Sequence, residues 1–371
     1  MFVAWRDLRF ARGRFLLIGA VVALITLLVG FLSGLTGGLA SQNISAVLAL
    51  PGDRLVLAEP ESGEPSFSSS TLSDEAVDAW QGAAGVDSAI PVGISQSRAE
   101  SADSDGTVGV ALFGLPEAIG FGSGSGPGTG TGGELAQLVP GANDEVGLSA
   151  GAAKDLNVAV GDTVTITGTE FTVATVGGDS WYSHTPVVAL TPDAWAEADT
   201  RVGGSGEATV IAASGDADWD AIAESTGTSA KSTIASLTAL ETFRSEIGSL
   251  GLMIALLFGI SALVVGAFFT VWTMQRSADV AVLKALGATT GSLVRDSLGQ
   301  ALIVLVLGIG VGLGAVVGLG TLAGQALPFM LSPLTTLAPA AIMTVLGLAG
   351  AAVALRTVTK ADPLTALGSH R

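Results

Sequence analysis

The chain contains no cysteine, so neither a disulfide nor a thiolate-bound metal can brace any part of it. It has two histidines, His184 and His370, and a single tyrosine, Tyr182. A structural or catalytic metal centre needs several convergent ligands, and the sequence shows no such cluster. Charge is scarce as well. Charged residues are 13% of the 371 positions against 49% apolar, and mean hydropathy is +0.61. That is the profile of a membrane protein. Lysine is missing from the Gly/Ser stretch 120–134, and G-x-x-x-x-G-K-[ST] occurs nowhere, so no phosphate-binding loop is present. The stretch reads as a flexible insertion. Any ATP hydrolysis must therefore be done by another chain.

What the chain has is three long intervals without charge: 15–52, 247–275 and 297–355. A membrane helix needs about 20 apolar residues, so the last interval holds two spans. The expected spans are 15–36, 249–274, 298–322 and 338–356, with Pro328, Pro333 and Pro339 breaking any helix between the third and fourth. The first apolar run is too long for a signal-peptide core and no convincing cleavage site follows, so it reads as a retained anchor.

The remaining charge is sharply partitioned. Residues 1–14, 275–297 and 356–371 carry 10 basic and 4 acidic residues, whereas 37–246 carries 6 basic and 29 acidic, a net of −23. The positive-inside rule then puts both termini and the middle loop in the cytosol and the acidic segment outside. Such acidity argues against a nucleic-acid partner and suits an exposed, soluble domain.

Residues 1–14 alternate apolar and basic positions at helical spacing, as an interfacial helix lying on the inner leaflet would. In the segment 37–246, strands are expected at 53–59, 87–99, 106–114, 186–190 and 208–213, with helices from a Ser73 cap to about Ala83, at 192–198 and at 217–225. Residues 144–178 read as a strand, a short helix, a Gly-Asp turn and a hairpin. The fold class expected is therefore four transmembrane helices with a large extracellular α+β domain inserted between the first and second.

Between spans two and three lies MQRSADVAVLKALGATTGSLVR (274–295), whose apolar positions fall at mostly helical spacing until Gly287. The run DVAVLKALGAT resembles the cytosolic loop of MacB/FtsX-type ABC transporter permeases. In that family the loop docks into a separate ATPase subunit. The resemblance covers nearly the whole length, through SGLTGGLASQNIS, VGDTVTI, SWYSHTPVVAL, FFTVWTMQRSADVAVLKALG and ADPLTALG. With four spans rather than ten, the chain is most similar to the haem-exporter permeases of Gram-positive bacteria. The resemblance implies a pair of permeases in a bacterial plasma membrane, two ATPase subunits holding ATP and Mg, and haem as transported substrate. It also implies that Asp279, Lys284, Leu286 and Gly287 form the ATPase-coupling helix. An FtsX-like regulator of cell-wall hydrolases, or an exporter of another amphiphile or lipoprotein, are the alternatives.

Five residues are candidates for holding haem. Glu246 and Met253 are seven positions apart and share a helix face, offering an oxygen and a thioether to the iron. A solvated carboxylate at the membrane boundary is the plainer reading of Glu246. Phe31 could form apolar wall, Arg244 could meet the propionates, and Tyr182 sits in a segment that looks like the family's tyrosine-containing one; a surface aromatic is its plainer reading. Gly30, Gly34 and Gly38 recur every four residues, a smooth strip that suits close helix packing, either within the chain or, as favoured here, across the dimer interface.

Overall fold

The computed structural model describes residues 12–101, 106–121, 133–275 and 289–359. The described chain falls into two compact units: one holds residues up to Gly38 and from Ser249 onward, the other Leu39–Gly248.

In chain order the elements are α1 (Arg12–Leu48), β1 (Arg54–Ala58), α2 (Asp74–Gln81), β2 (Val86–Ser101), β3 (Val108–Gly114), α3 (Gly133–Ala136), β4 (Glu145–Leu148) and α4 (Ala150–Leu156). They continue with β5 (Thr163–Ile166), β6 (Thr169–Val176), β7 (Trp181–Tyr182), β8 (Thr185–Leu190), α5 (Pro192–Arg201), β9 (Val210–Gly215), α6 (Trp219–Thr226) and β10 (Thr228–Ser232). The last described helices are α7 (Thr233–Ser236), α8 (Glu241–Gln275), α9 (Thr290–Ala323) and α10 (Pro333–Thr359). Four of these helices, α1, α8, α9 and α10, are long and apolar enough to cross a membrane.

The membrane unit packs its helices through glycine. A Cβ on Gly30 would lie 2.7 Å from Val316 on α9, and one on Gly34 or Gly38 would strike Phe329 or the Pro328 carbonyl. The strip expected at a dimer interface is therefore filled by α9 and the segment after it, within the same chain. Phe329 is wedged between Gly34 of α1 and Gly320 of α9, with its ring centroid 4.9 Å from that of Phe31. Val22 and Thr26 cover Gly308 and Gly312 in the same way. Small residues let backbones approach where apolar burial supplies no drive. Pro339 does not break a helix as expected. It lies in the second turn of α10, behind Pro333 at the helix start. A membrane helix tolerates a proline where neighbouring groups satisfy the freed carbonyl.

The inserted unit contains a ten-stranded sheet in the order β10-β1-β9-β2-β3-β8-β4-β6-β5, with β7 paired to β8. β2 is 16 residues long and serves two partners. Its first half pairs with β9 from Val86 to Val92, and its end pairs with β5 from Ala99 to Ser101. The second pairing closes β2, β3, β8, β4, β6 and β5 into a ring. Trp195 of α5 lies over Gly93 and Gly114, where a Cβ would meet its ring, and donates its indole N–H to Ser95 Oγ at 3.1 Å. β1 and β10, at the entry and exit of the domain, are antiparallel neighbours from Arg54↔Ser232 to Ala58↔Thr228.

Several bounds differ from expectation for one reason. α1 runs 12 residues beyond the expected end of the first span, and α8 starts at Glu241, because both continue into the inserted unit. There Ala46, Val47 and Leu50 are buried in its core together with Leu237, Ala239 and Leu240. Ser73 caps α2 through Ala76 N–H as expected. Replacing Gly38 by alanine should cost about 1–3 kcal/mol through the clash with the Pro328 carbonyl. Gly314→Ala, at a position with open space, should be neutral or gain up to about 1 kcal/mol of helix propensity. Thermal unfolding of the two variants in detergent distinguishes them.

Candidate functional site

Two features on α1 and α8 carry the sites worth weighing. The first belongs to the membrane unit. Leu28, Phe31 and Leu35 of α1 and Met253, Leu256 and Ile260 of α8 line a hollow of about 420 Å³ that is almost wholly apolar. That volume is within the range of small-molecule sites, about 300–1,000 Å³. Met253 is 51% exposed, so its thioether is available to a ligand. The structure thus brings together two of the five sequence candidates, Phe31 and Met253.

The second feature lies within the inserted unit and was not foreseen from the sequence. Asn43, on the part of α1 that enters this unit, is fully buried. A buried amide has to be hydrogen-bonded, and it is. Asn43 Nδ2 donates to Glu246 Oε2 at 3.2 Å, and Asn43 Oδ1 accepts from the Thr242 hydroxyl at 2.9 Å. His184 Nε2 lies 2.7 Å from Glu246 Oε1. A carboxylate can only accept, so the proton of this bond is carried on Nε2. Ser183 Oγ is 3.0 Å from Thr242 Oγ1.

His184 reaches this place through a tight turn between β7 and β8. Ser183 and His184 both have positive φ, 47° and 65°, the pattern of a two-residue hairpin turn that usually takes glycine or asparagine. Their backbone N–H groups donate to Asn43 O and Gln42 O, both at 3.0 Å. Trp181 N–H donates to Ser45 Oγ at 2.8 Å, and Ser45 Oγ–H donates back to Trp181 O at 3.3 Å. The turn is therefore bolted to α1 by backbone and to α8 by His184. His184 thus ties the hairpin of the inserted domain to the carboxylate of Glu246.

The other candidates lie elsewhere. Tyr182 is neither a surface aromatic nor an open iron ligand. It is 6% exposed and sits edge-on between Phe67 and Phe113, with centroids 6.3 and 5.7 Å away. Burial, with the Glu241 carboxylate adding to it, pushes its hydroxyl well above the ordinary tyrosine value, so it stays protonated. Arg244 is paired with Glu64 at 2.7 Å on the surface. Asp279, Lys284, Leu286 and Gly287 lie outside the described residues, as does most of the expected 1–14 elbow. Among the described residues no group of three or more histidine, aspartate or glutamate side chains could hold a metal ion.

Asn43→Ala removes the hydrogen bonds of the amide to the Thr242 hydroxyl and to Glu246. It should cost about 1 kcal/mol, read as a lowered thermal midpoint in detergent.

The model of the MacB-like periplasmic core domain matches residues 15–228, and that of the FtsX-like permease C-terminal region matches 251–363. Curated relatives include a hemin transport system permease protein HrtB of Staphylococcus haemolyticus, 25% identical over 99% of both chains. HrtB of Staphylococcus epidermidis strain ATCC 35984 is 24% identical over 99% of both. Among solved structures, the periplasmic region of MacB from Actinobacillus actinomycetemcomitans covers 53% of this chain and 94% of its own, at 13% identity and a TM-score of 0.36. Four membrane helices, the α+β domain inserted after the first, and two adjoining family matches agree: the chain belongs to the MacB/FtsX-type family of ABC transporter permeases.

Proposed function

We propose that this permease exports haem, taken from the membrane, through a pair of identical chains driven by two copies of a separate ATPase that hold ATP and Mg. The observation that carries the reading is the hollow between α1 and α8, which offers apolar walls and one exposed thioether and almost nothing polar. Haem is a flat apolar disc with an iron that accepts methionine sulfur. The two relatives named hemin transport permeases, aligned over 99% of their length, support the same cargo.

In this reading Phe31 forms wall and Met253 ligates the iron. Glu246, the oxygen donor among the sequence candidates, is bonded to His184 and Asn43 within the inserted unit. Arg244 and Tyr182 drop out, because one is paired with Glu64 and the other is core. Pairing of two copies uses a face other than Gly30, Gly34 and Gly38, which own-chain groups already cover. The 10-to-4 excess of basic residues in 1–14, 275–297 and 356–371 supports termini and coupling loop on the cytosolic side of a bacterial plasma membrane, with the acidic domain outside. ATP-driven closure of the ATPases would push on 277–287 and be passed along α1 and α8.

An absorption titration of the detergent-purified permease with hemin tests the cargo. A saturable Soret shift is expected, weakened about tenfold or more in Met253→Ala, the loss of one ligand bond worth at least about 1.4 kcal/mol. Glu246→Ala, titrated separately, decides whether the carboxylate contributes. A wild-type protein with no saturable shift rules out haem. For the coupling helix, Lys284→Glu and Gly287→Val should leave ATP hydrolysis by the complex running while efflux falls; unchanged coupling in both would remove the docking role.

A further inference from the structure

The inserted domain has a second site that the transport reading does not use. β2 is paired with β9 up to Val92↔Val210 and with β5 from Ala99↔Ile166 onward. Between them, residues 93–98 have β3 on one side and no strand on the other. Antiparallel pairing alternates, so every second residue turns its N–H and C=O to that open edge. Val92 does so, accepting from Thr209 N–H at 3.0 Å. Ile94 does too, and there the Thr209 hydroxyl stands in for a missing strand, accepting from Ile94 N–H at 2.9 Å and donating to Ile94 O at 3.0 Å. Gln96 is next in the alternation, and among the described residues nothing takes its edge-facing backbone groups.

This gap opens into a cleft of about 460 Å³. Tyr182 lines it, and its hydroxyl has no hydrogen-bond partner among the described residues although the residue is 6% exposed. Asp199 and Glu207 bring two carboxylates, and no lysine, arginine or histidine lines the site. The rest of the wall is rich in serine and threonine hydroxyls. The segment 37–246 around it has a net charge of −23.

We propose that this cleft binds an extended, basic peptide segment of a partner protein, which adds a short strand to the open edge of β2 at Gln96. Main-chain hydrogen bonds to the edge would supply affinity, and the side-chain environment would supply selection. Here the selecting groups are Asp199 and Glu207, which favour a lysine or arginine, and the Tyr182 hydroxyl, which takes a polar group at the floor. Unpaired strand edges invite such addition, and a gap bounded by β9 and β5 limits it to a few residues.

The test uses the full-length permease in detergent and a fluorescein-labelled peptide of alternating valine and lysine, read by fluorescence anisotropy. Saturable binding is expected, weakened about 3- to 10-fold by Tyr182→Phe, which removes one hydrogen bond and keeps the ring. Gln96→Pro, tolerated on a free edge, should weaken it further, as should Glu207→Gln. The same peptide methylated on its backbone nitrogens, or with glutamate in place of lysine, should not compete. The proposal is overturned by any of three results: no saturable binding, equal competition by the methylated or acidic peptide, or unchanged affinity in Tyr182→Phe at an unaltered thermal midpoint. Displacement by a neutral oligosaccharide but not by unlabelled peptide would likewise overturn it and assign the cleft to sugars.

Discussion

A buried amide, Asn43, has to be satisfied on both its oxygen and its nitrogen, and most of the local architecture of the inserted unit follows from how that is done. Its partners come from α8, through Thr242 and Glu246, and the His184 contact of Glu246 comes from the β7–β8 turn. Three segments separated by 141 and 62 residues of chain are thus fixed to one another by a handful of polar bonds. A domain inserted between two helices needs such a joint, because otherwise the two helix ends inside it could drift apart. Polar bonds suit the task better than apolar contact alone, since they are directional and specify which groups meet.

The joint also explains why the Ser183–His184 turn can exist. Two non-glycine residues at positive φ carry a backbone cost that the surroundings must offset. The carbonyls of Gln42 and Asn43 do so by accepting both turn N–H groups. Conformation at the turn and helicity at the end of α1 therefore depend on each other.

Much of the fold could be read from composition and period. The membrane helices followed from intervals without charge, and the strands of the inserted domain from alternation and turn residues. The extension of α1 through 37–48 could not, because GGLASQNISAVL is glycine-rich and polar, and it is helical only with Ala46 and Val47 sealed in the domain core. Tyr182 was misread because WYSHT gives no long alternating run. In the folded hairpin Trp181 is half-buried and Tyr182 buried, so strand alternation decides the matter once the turn at 183–184 is recognised. The partnership of His184 with Glu246 spans 62 residues and leaves no local trace. The glycine strip was legible as a packing face but not as to what covers it, since Val316 and Phe329 come from nearly 300 residues downstream.

The antiparallel neighbours β1 and β10 stand at the beginning and end of the inserted domain. A module whose two chain ends emerge side by side asks little of its host. Any helical hairpin with closely spaced ends can accept it without rearrangement, and it can be lost or exchanged as a cassette. A change confined to the outer module then leaves the register of the membrane helices on either side of it untouched.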